Sequence, residues 1–210
     1  TRVRHGSSSL ERGRAGPVRL RTLAAGWPEA RQETRARRGL TRVGRVAVSA
    51  GIVVTGTEDL TGRVGDRNGP WVAEQLRQLG VDVGSVVVVG DRPEDLRAAL
   101  RFLAGRDVVF TTGGLGPTAD DLTAQLVGEV QGRPSSVDPE LERQIAGIVE
   151  GLMDGRGWRA DPEATAAGVR KQALVPEGSH VIYPAGTAPG LVVPGRPTIV
   201  VLPGPPRELH

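Results

Sequence analysis

The chain has 210 residues, 38% of them hydrophobic, and no cysteine. That length suffices for one sizeable α/β domain, or one domain plus a tail. The absence of cysteine excludes disulfides, thiolate metal sites and a cysteine nucleophile. No apolar run is long enough to span a bilayer, so a cytoplasmic protein with no membrane partner is expected.

The net charge of +3 conceals two unlike parts. Residues 1–45 hold twelve Arg against three Glu, whereas residues 46–210 hold fifteen Lys or Arg against twenty-one Asp or Glu. The high pI belongs to the first part, so nucleic acid is not an expected partner of the remainder. Residues 1–45 lack sustained periodicity and are too poor in apolar side chains to offset their ordering entropy. Three readings stay open for them: a basic disordered arm, a targeting peptide, or an upstream stretch included by a misplaced start. The opening Thr1 and the near-exclusive use of Arg over Lys favour the third. The expected domain is therefore 46–210, cut off at its C-terminal end.

From Val46 the pattern is regular. Val46–Val54 is β-branched and apolar, a buried strand, followed by a polar loop over Thr55–Arg67. Asn68 is placed to cap a helix running to about Leu79, with Gly80 as its stop. Val81–Val89 reads as a second strand. Arg92–Ala104 reads as a helix with Pro93 in its first turn and Leu96, Leu100 and Leu103 on one face. Asp107–Thr111 is the third strand, and Leu122–Val130 a helix. Beyond it, Asp138–Glu150 looks helical, Gly151–Asp161 a loop, and Pro162–Gly168 a short helix. His180–Val193 holds two short apolar stretches that suggest a hairpin. Thr198–Leu202 is a further strand, and a last helix begins near Arg207. Strands alternating with helices at this spacing imply an α/β fold with a mostly parallel sheet and helices on both faces. Ligands then bind beyond the carboxyl ends of the strands, so loops 55–67 and 111–121 should share one edge.

The second of these loops carries the strongest chemistry. Thr111-Thr112-Gly113-Gly114-Leu115-Gly116-Pro117-Thr118-Ala119-Asp120-Asp121 joins a strand to a helix. Gly113, Gly114 and Gly116 allow positive φ and close backbone approach, and exposed N–H groups at such a turn suit a phosphate. Asp120 and Asp121 offer the hard oxygen ligands that Mg²⁺ requires, unless one of them is only the cap of the following helix. The first loop adds the carboxylates of Glu58 and Asp66. Lys171, the only lysine, is either a surface cation or a point charge for a phosphate. Gly186-Thr187-Ala188-Pro189-Gly190 and Pro203-Gly204-Pro205-Pro206 are rigid loops of small residues that permit close approach. No histidine pair has metal-ligand spacing.

Six segments occur together in one order: Thr55-Gly56-Thr57-Glu58; Gly62 to Asp66-Arg67-Asn68; Gly113 to Asp121; Arg170-Lys171-Gln172-Ala173; Gly186 to Gly190; and Leu202 to Pro206. This order resembles the N-terminal domain of the competence/damage-inducible CinA proteins, within the wider MoaB/MogA molybdopterin-binding family. The resemblance covers about Arg45 to Leu209. The sequence departs from the pattern at Asp59, Val169 and Tyr183.

The resemblance implies a three-layer α/β/α fold, homo-oligomer formation and a pocket for a phosphorylated ligand. Phosphate and ligand contacts would come from Gly56, Glu58, Asn68, Gly113, Gly114, Gly116, Pro117, Thr118, Gly186, Thr187, Pro189, Gly204 and Pro205. In the CinA branch it further implies metal-dependent hydrolysis of ADP-ribose to AMP and ribose 5-phosphate. A divalent metal, Mg²⁺ or similar, together with K⁺, would serve there. Asp120, Asp121 and Glu58 would hold the metal, Asp66 would orient the attacking water, and Lys171 would stabilise phosphoryl charge. The nicotinamide-nucleotide deamidase domain of longer relatives is not expected in this chain. The rival expectation is a molybdopterin-binding module of molybdenum cofactor biosynthesis without hydrolase activity. A non-catalytic remnant is the third.

Overall fold

The computed structural model describes residues 47–60, 65–156 and 161–209, without the side chains of Glu58, Asp59 and Arg156. The chain divides into Thr1–Val43 and Gly44–His210, and every described residue belongs to the second unit. The expectations for residues 1–45, and for Gly62, lie outside the described residues.

Strands β1 (Ser49–Thr55), β2 (Asp82–Val89) and β3 (Val108–Thr112) run parallel with β8 (Thr198–Leu202). β7 (Gly190–Val193) and β6 (His180–Ile182) add antiparallel strands, giving the order β2-β1-β3-β8-β7-β6. The central strands are buried on both sides, which is why they read as continuous apolar runs instead of alternating ones. Along β1, Ala50, Ile52 and Val54 face Val72 and Leu76 of α2 (Asn68–Gln78). Val53 faces the other layer, with Leu96, Leu100 and Leu103 from α3 (Pro93–Phe102) and its end and Leu126 and Val127 from α4 (Thr123–Val130). Burying a side chain such as Leu100 contributes about 1.5–3 kcal/mol. The fold is thus a three-layer α/β/α sandwich on a mostly parallel sheet, as expected.

Within this sheet, β1 leads to α2 on one face and β3 leads to α4 on the other. The crossovers leave β1 and β3 in opposite senses, which opens a crevice at their carboxyl ends where open α/β sheets bind ligands. Residues 55–56 and 65–67, together with loop 111–121, flank that crevice.

Several expectations need correction. A one-turn helix, α1 (Thr57–Leu60), lies within the expected loop. Asn68 does not cap α2: it is the first helical residue, and the Asp66 carboxylate accepts the Gly69 N–H at 2.9 Å instead. Neither Asp120 nor Asp121 caps α4, whose N-cap position is Leu122. Helix α5 (Pro139–Arg156) continues into the region expected to be a loop, as far as Arg156, and α6 (Pro162–Gln172) runs past Gly168. Asp138 and Asp161 start these two helices by accepting N–H groups of the first turn. A small antiparallel pair, β4 (Ser135–Val137) with β5 (Leu174–Pro176), was not expected. With three residues each, these strands are too short to show a period of two.

Gly147, Gly151 and Gly155 lie in α5 with open space where a Cβ would stand. Gly147→Ala is therefore expected to stabilise the protein by about 0.5–1 kcal/mol through helix propensity alone, read as a rise in the midpoint of urea unfolding.

Candidate ligand cleft

The crevice is a cleft of about 660 Å³, within the range of small-molecule sites. Its floor is the turn after β3. Gly113 and Gly114 have φ of +96° and +66°, a region that side-chain-bearing residues rarely enter. Space adds a second constraint: a Cβ on Gly113 would stand 2.5 Å from the Thr55 carbonyl oxygen, and one on Gly114 2.1 Å from the Thr123 hydroxyl. Gly204, after β8, has its own Cβ position 3.2 Å from the Gly113 Cα. The glycines let the ends of β1, β3 and β8 converge. Gly113 N–H donates to the Leu202 carbonyl at 3.1 Å, whereas the N–H groups of Gly114, Leu115 and Gly116 have no partner among the described residues.

The rest of the loop is held from two sides. Asp121 Oδ2 accepts the Thr118 N–H at 3.0 Å and the Thr118 hydroxyl, and Asp121 N–H returns to the Thr118 carbonyl at 3.1 Å. That carboxylate also occupies the space beside Gly116, 2.4 Å from where a Cβ would be. From the other side, α6 clamps the loop. Buried Gln172 donates to the Leu115 carbonyl at 2.9 Å, Lys171 donates to the Thr118 carbonyl, and Gly168 lets Pro117 pack against the helix.

The two adjacent aspartates therefore differ. Asp121 is committed to the turn. Asp120 is exposed and lines the cleft and a small adjoining cavity. The nearby Thr118 hydroxyl first, then the Asp120 backbone N–H and the Lys171 charge, hold the Asp120 carboxyl below the usual carboxylate range. It is thus a fixed anion at neutral pH and a weak proton acceptor.

Of the residues singled out in the sequence, the cleft brings together Gly56, Asp66, Asn68, Gly113, Gly114, Gly116, Pro117, Asp120, Asp121, Thr187, Gly204 and Pro205. Thr118, Lys171, Gly186 and Pro189 are not on its wall: Thr118 and Lys171 brace the loop, and Gly186 lies against Glu208. The Glu58 side chain lies outside the described residues. Asp91, Arg67, Arg207 and Glu208 also line the cleft and were missed. Asp91 follows β2, and that position at a parallel strand's carboxyl end was the available signal. Asp91 accepts the N–H and hydroxyl of Thr57 at 3.1 and 2.6 Å, so it fixes the turn after β1.

The wall carries five carboxylates (Asp66, Asp91, Asp120, Asp121 and Glu208) against the guanidiniums of Arg67 and Arg207. Among the described residues, no group of three or more His, Asp or Glu is placed to hold a metal by itself. Mg²⁺, however, is commonly held by one or two carboxylates together with waters and the ligand's phosphates. Asp120 fits that role.

The family description "probable molybdopterin binding domain" matches residues 51–210. The chain belongs to this family. Within it, the chain is 58% identical over 167 residues to a CinA-like protein of Mycobacterium sp. (strain MCS), the match taking in 79% of this chain and 39% of that protein. A CinA-like protein of Mycobacterium tuberculosis (strain ATCC 25177 / H37Ra) is 56% identical over 170 residues, with the same coverage. The chain thus spans about two fifths of the length of the curated relatives it matches. A crystal structure from Thermoplasma acidophilum, described as the protein CinA with unknown function, has a TM-score of 0.64 at 29% identity and covers 78% of this chain and 92% of its own. The resemblance read from the six ordered motifs is borne out, and the molybdopterin-binding domain family supplies the fold seen here. Among the described residues no helix is long and apolar enough to cross a membrane.

Proposed function

We propose that the cleft binds a phosphorylated small molecule, with the phosphates on the Gly114, Leu115 and Gly116 N–H groups, and hydrolyses the diphosphate of ADP-ribose when a divalent cation is present. The observation that carries this reading is the pairing of a run of N–H groups without a partner among the described residues with one exposed, ionised carboxylate, Asp120, in a wall that is otherwise acidic. The N–H groups are donors suited to phosphoryl oxygens. The excess of carboxylates repels a bare diphosphate, so a cation must enter with it.

In this reaction the oxygen of water attacks one phosphorus and the bond from that phosphorus to the bridging oxygen breaks. AMP and ribose 5-phosphate leave, and the protons released pass to solvent. A divalent cation, when bound, supplies charge neutralisation and Lewis-acid polarisation of the phosphates. The chain's own part is to orient: the Gly114–Gly116 backbone would hold the phosphates, Asp120 would hold the cation, and α6 keeps the loop in place through Gln172 and Lys171. Asp66, engaged with the Gly69 N–H through Oδ1, retains its second oxygen for the attacking water. The similarity to CinA-like proteins supports this reading.

The family description favours a second reading, molybdopterin binding in the same cleft without hydrolysis. Titration calorimetry of the full chain with ADP-ribose separates the two. Binding that strengthens at least tenfold when Mg²⁺ and K⁺ are added is expected. Equal, negligible heats with and without the cation, alongside tight binding of a pterin phosphate, would favour the second reading.

A further inference from the structure

Two polar atoms among the cleft-lining residues are buried without a donor: Asn68 Oδ1 and Glu208 Oε2. The orientation of the Asn68 amide is fixed, because its nitrogen donates to the Gly204 carbonyl at 2.7 Å and that carbonyl only accepts. The free atom of Asn68 is therefore the acceptor. Glu208, in the last turn of chain (Pro206–Leu209), leans against Gly186, where a Cβ would meet Oε1 at 2.3 Å. Glycine at 186 is what makes room for it. Among the described residues Glu208 has neither an ion pair nor a hydrogen bond to its side chain. A buried acceptor left without a donor is costly, and a buried carboxylate oxygen more so. Two such acceptors in one ligand cleft call for donors beyond the described residues, and a ligand seated in the cleft can supply them.

We propose that Asn68 and Glu208 form a subsite for a ligand group that donates hydrogen bonds and carries no negative charge. The inference rests on the reading of the cleft as a phosphate-ligand site and deepens it. The carboxylate of Glu208 rejects a phosphate, so the phosphates go to the Gly114–Gly116 turn and the donor-bearing part of the ligand goes to Asn68 and Glu208. The subsite thereby fixes which way round the ligand lies. Two chemistries supply such donors: the vicinal hydroxyls of a ribose, and the amino-bearing edge of a purine or pterin ring.

The test is titration of the full chain with ADP, 2′,3′-dideoxy-ADP and inosine diphosphate, each with Mg²⁺, for the wild type, Glu208→Ala and Glu208→Gln. The wild type is expected to bind ADP about tenfold or more tightly than one of the two analogues, the magnitude of a hydrogen bond to a charged group. Loss with the dideoxy compound assigns the ribose hydroxyls, and loss with inosine diphosphate assigns the amino edge. In Glu208→Ala that preference should shrink to within about twofold. Glu208→Gln keeps an acceptor in the same shape and should retain part of it, which separates recognition from a folding defect. An ADP preference of the same size in wild type and Glu208→Ala, or no preference in the wild type, overturns the subsite while leaving the phosphate site standing. If none of the three nucleotides binds to folded wild type, the phosphate reading of the cleft fails and the subsite falls with it.

Discussion

Gly113→Ala is expected to destabilise the protein by about 2–4 kcal/mol and to weaken phosphate-ligand binding at least tenfold. Two independent costs combine. The φ of +96° is one that alanine does not adopt without strain. The added Cβ would also stand 2.5 Å from the Thr55 carbonyl oxygen, and that oxygen belongs to the end of a central strand, paired on both sides, so it cannot swing away as a flexible side chain would. Relief must come from moving the β3 turn itself, which carries the N–H groups offered to the ligand. Gly114→Ala provides the contrast. Its obstruction is the Thr123 hydroxyl, a side-chain atom, and Thr123→Ala should partly rescue Gly114→Ala but not Gly113→Ala. Urea unfolding and ligand titration on the two single and the two double variants would read this difference. Equal rescue of both would contradict the assignment of the Thr55 carbonyl as the fixed obstacle.

The second large effect separates neighbouring aspartates. Asp120→Asn is expected to lower cation-dependent ADP-ribose turnover about 10²-fold or more, with little change in thermal stability, because Asp120 is exposed. Asp121→Ala is expected to act through structure. It removes the acceptor of the Thr118 N–H and hydroxyl, so amide exchange over the Thr118–Asp121 turn should rise and binding should weaken with or without cation. The pH dependence follows from the Asp120 carboxyl lying below its ordinary value of 3.8. The group stays ionised as pH falls toward the usual carboxylate range, and its hold on a cation is lost only when pH drops through the lowered value. Cation affinity should accordingly be flat from pH 7 to about pH 5, in keeping with the reference carboxylate range. A rise in affinity between pH 5 and 7 that disappears in Asp120→Asn would show a raised carboxyl and contradict the lowered one.

These two residues also show what the sequence could and could not disclose. The glycine turn was readable because its requirement is local: a strand, three glycines and a helix leave few other conformations. The parallel sheet was readable because strands buried on both faces must be continuously apolar, as Ile52-Val53-Val54 and Val108-Val109 are. The difference between Asp120 and Asp121 was not readable. Both are acidic and adjacent, and only the folded turn directs one to Thr118 and leaves the other at the cleft. Lys171 and Gln172 were visible as a motif, but their place as braces of the Gly113–Asp121 loop depends on α6 returning across it from more than fifty positions away. Arg67, Arg207 and Glu208 were missed because charged surface residues are ordinarily solvated and nothing local marks those that converge, whereas Asp91 was marked only by its place after β2. The overlong α5 was misread for a simpler reason. Gly151 and Gly155 look like breakers, yet a glycine in a long, otherwise helical stretch costs only about 1 kcal/mol relative to alanine.

In the proposed reaction the cleft cleaves a diphosphate with a cation carried in by the ligand. Product analysis of the full chain incubated with ADP-ribose, with K⁺ present and Mg²⁺ either supplied or chelated, tests it most directly. Release of AMP and ribose 5-phosphate in equal amounts, only when Mg²⁺ is supplied, is the predicted result. No AMP from folded protein with Mg²⁺ present, or the same AMP yield with the cation chelated, would contradict it.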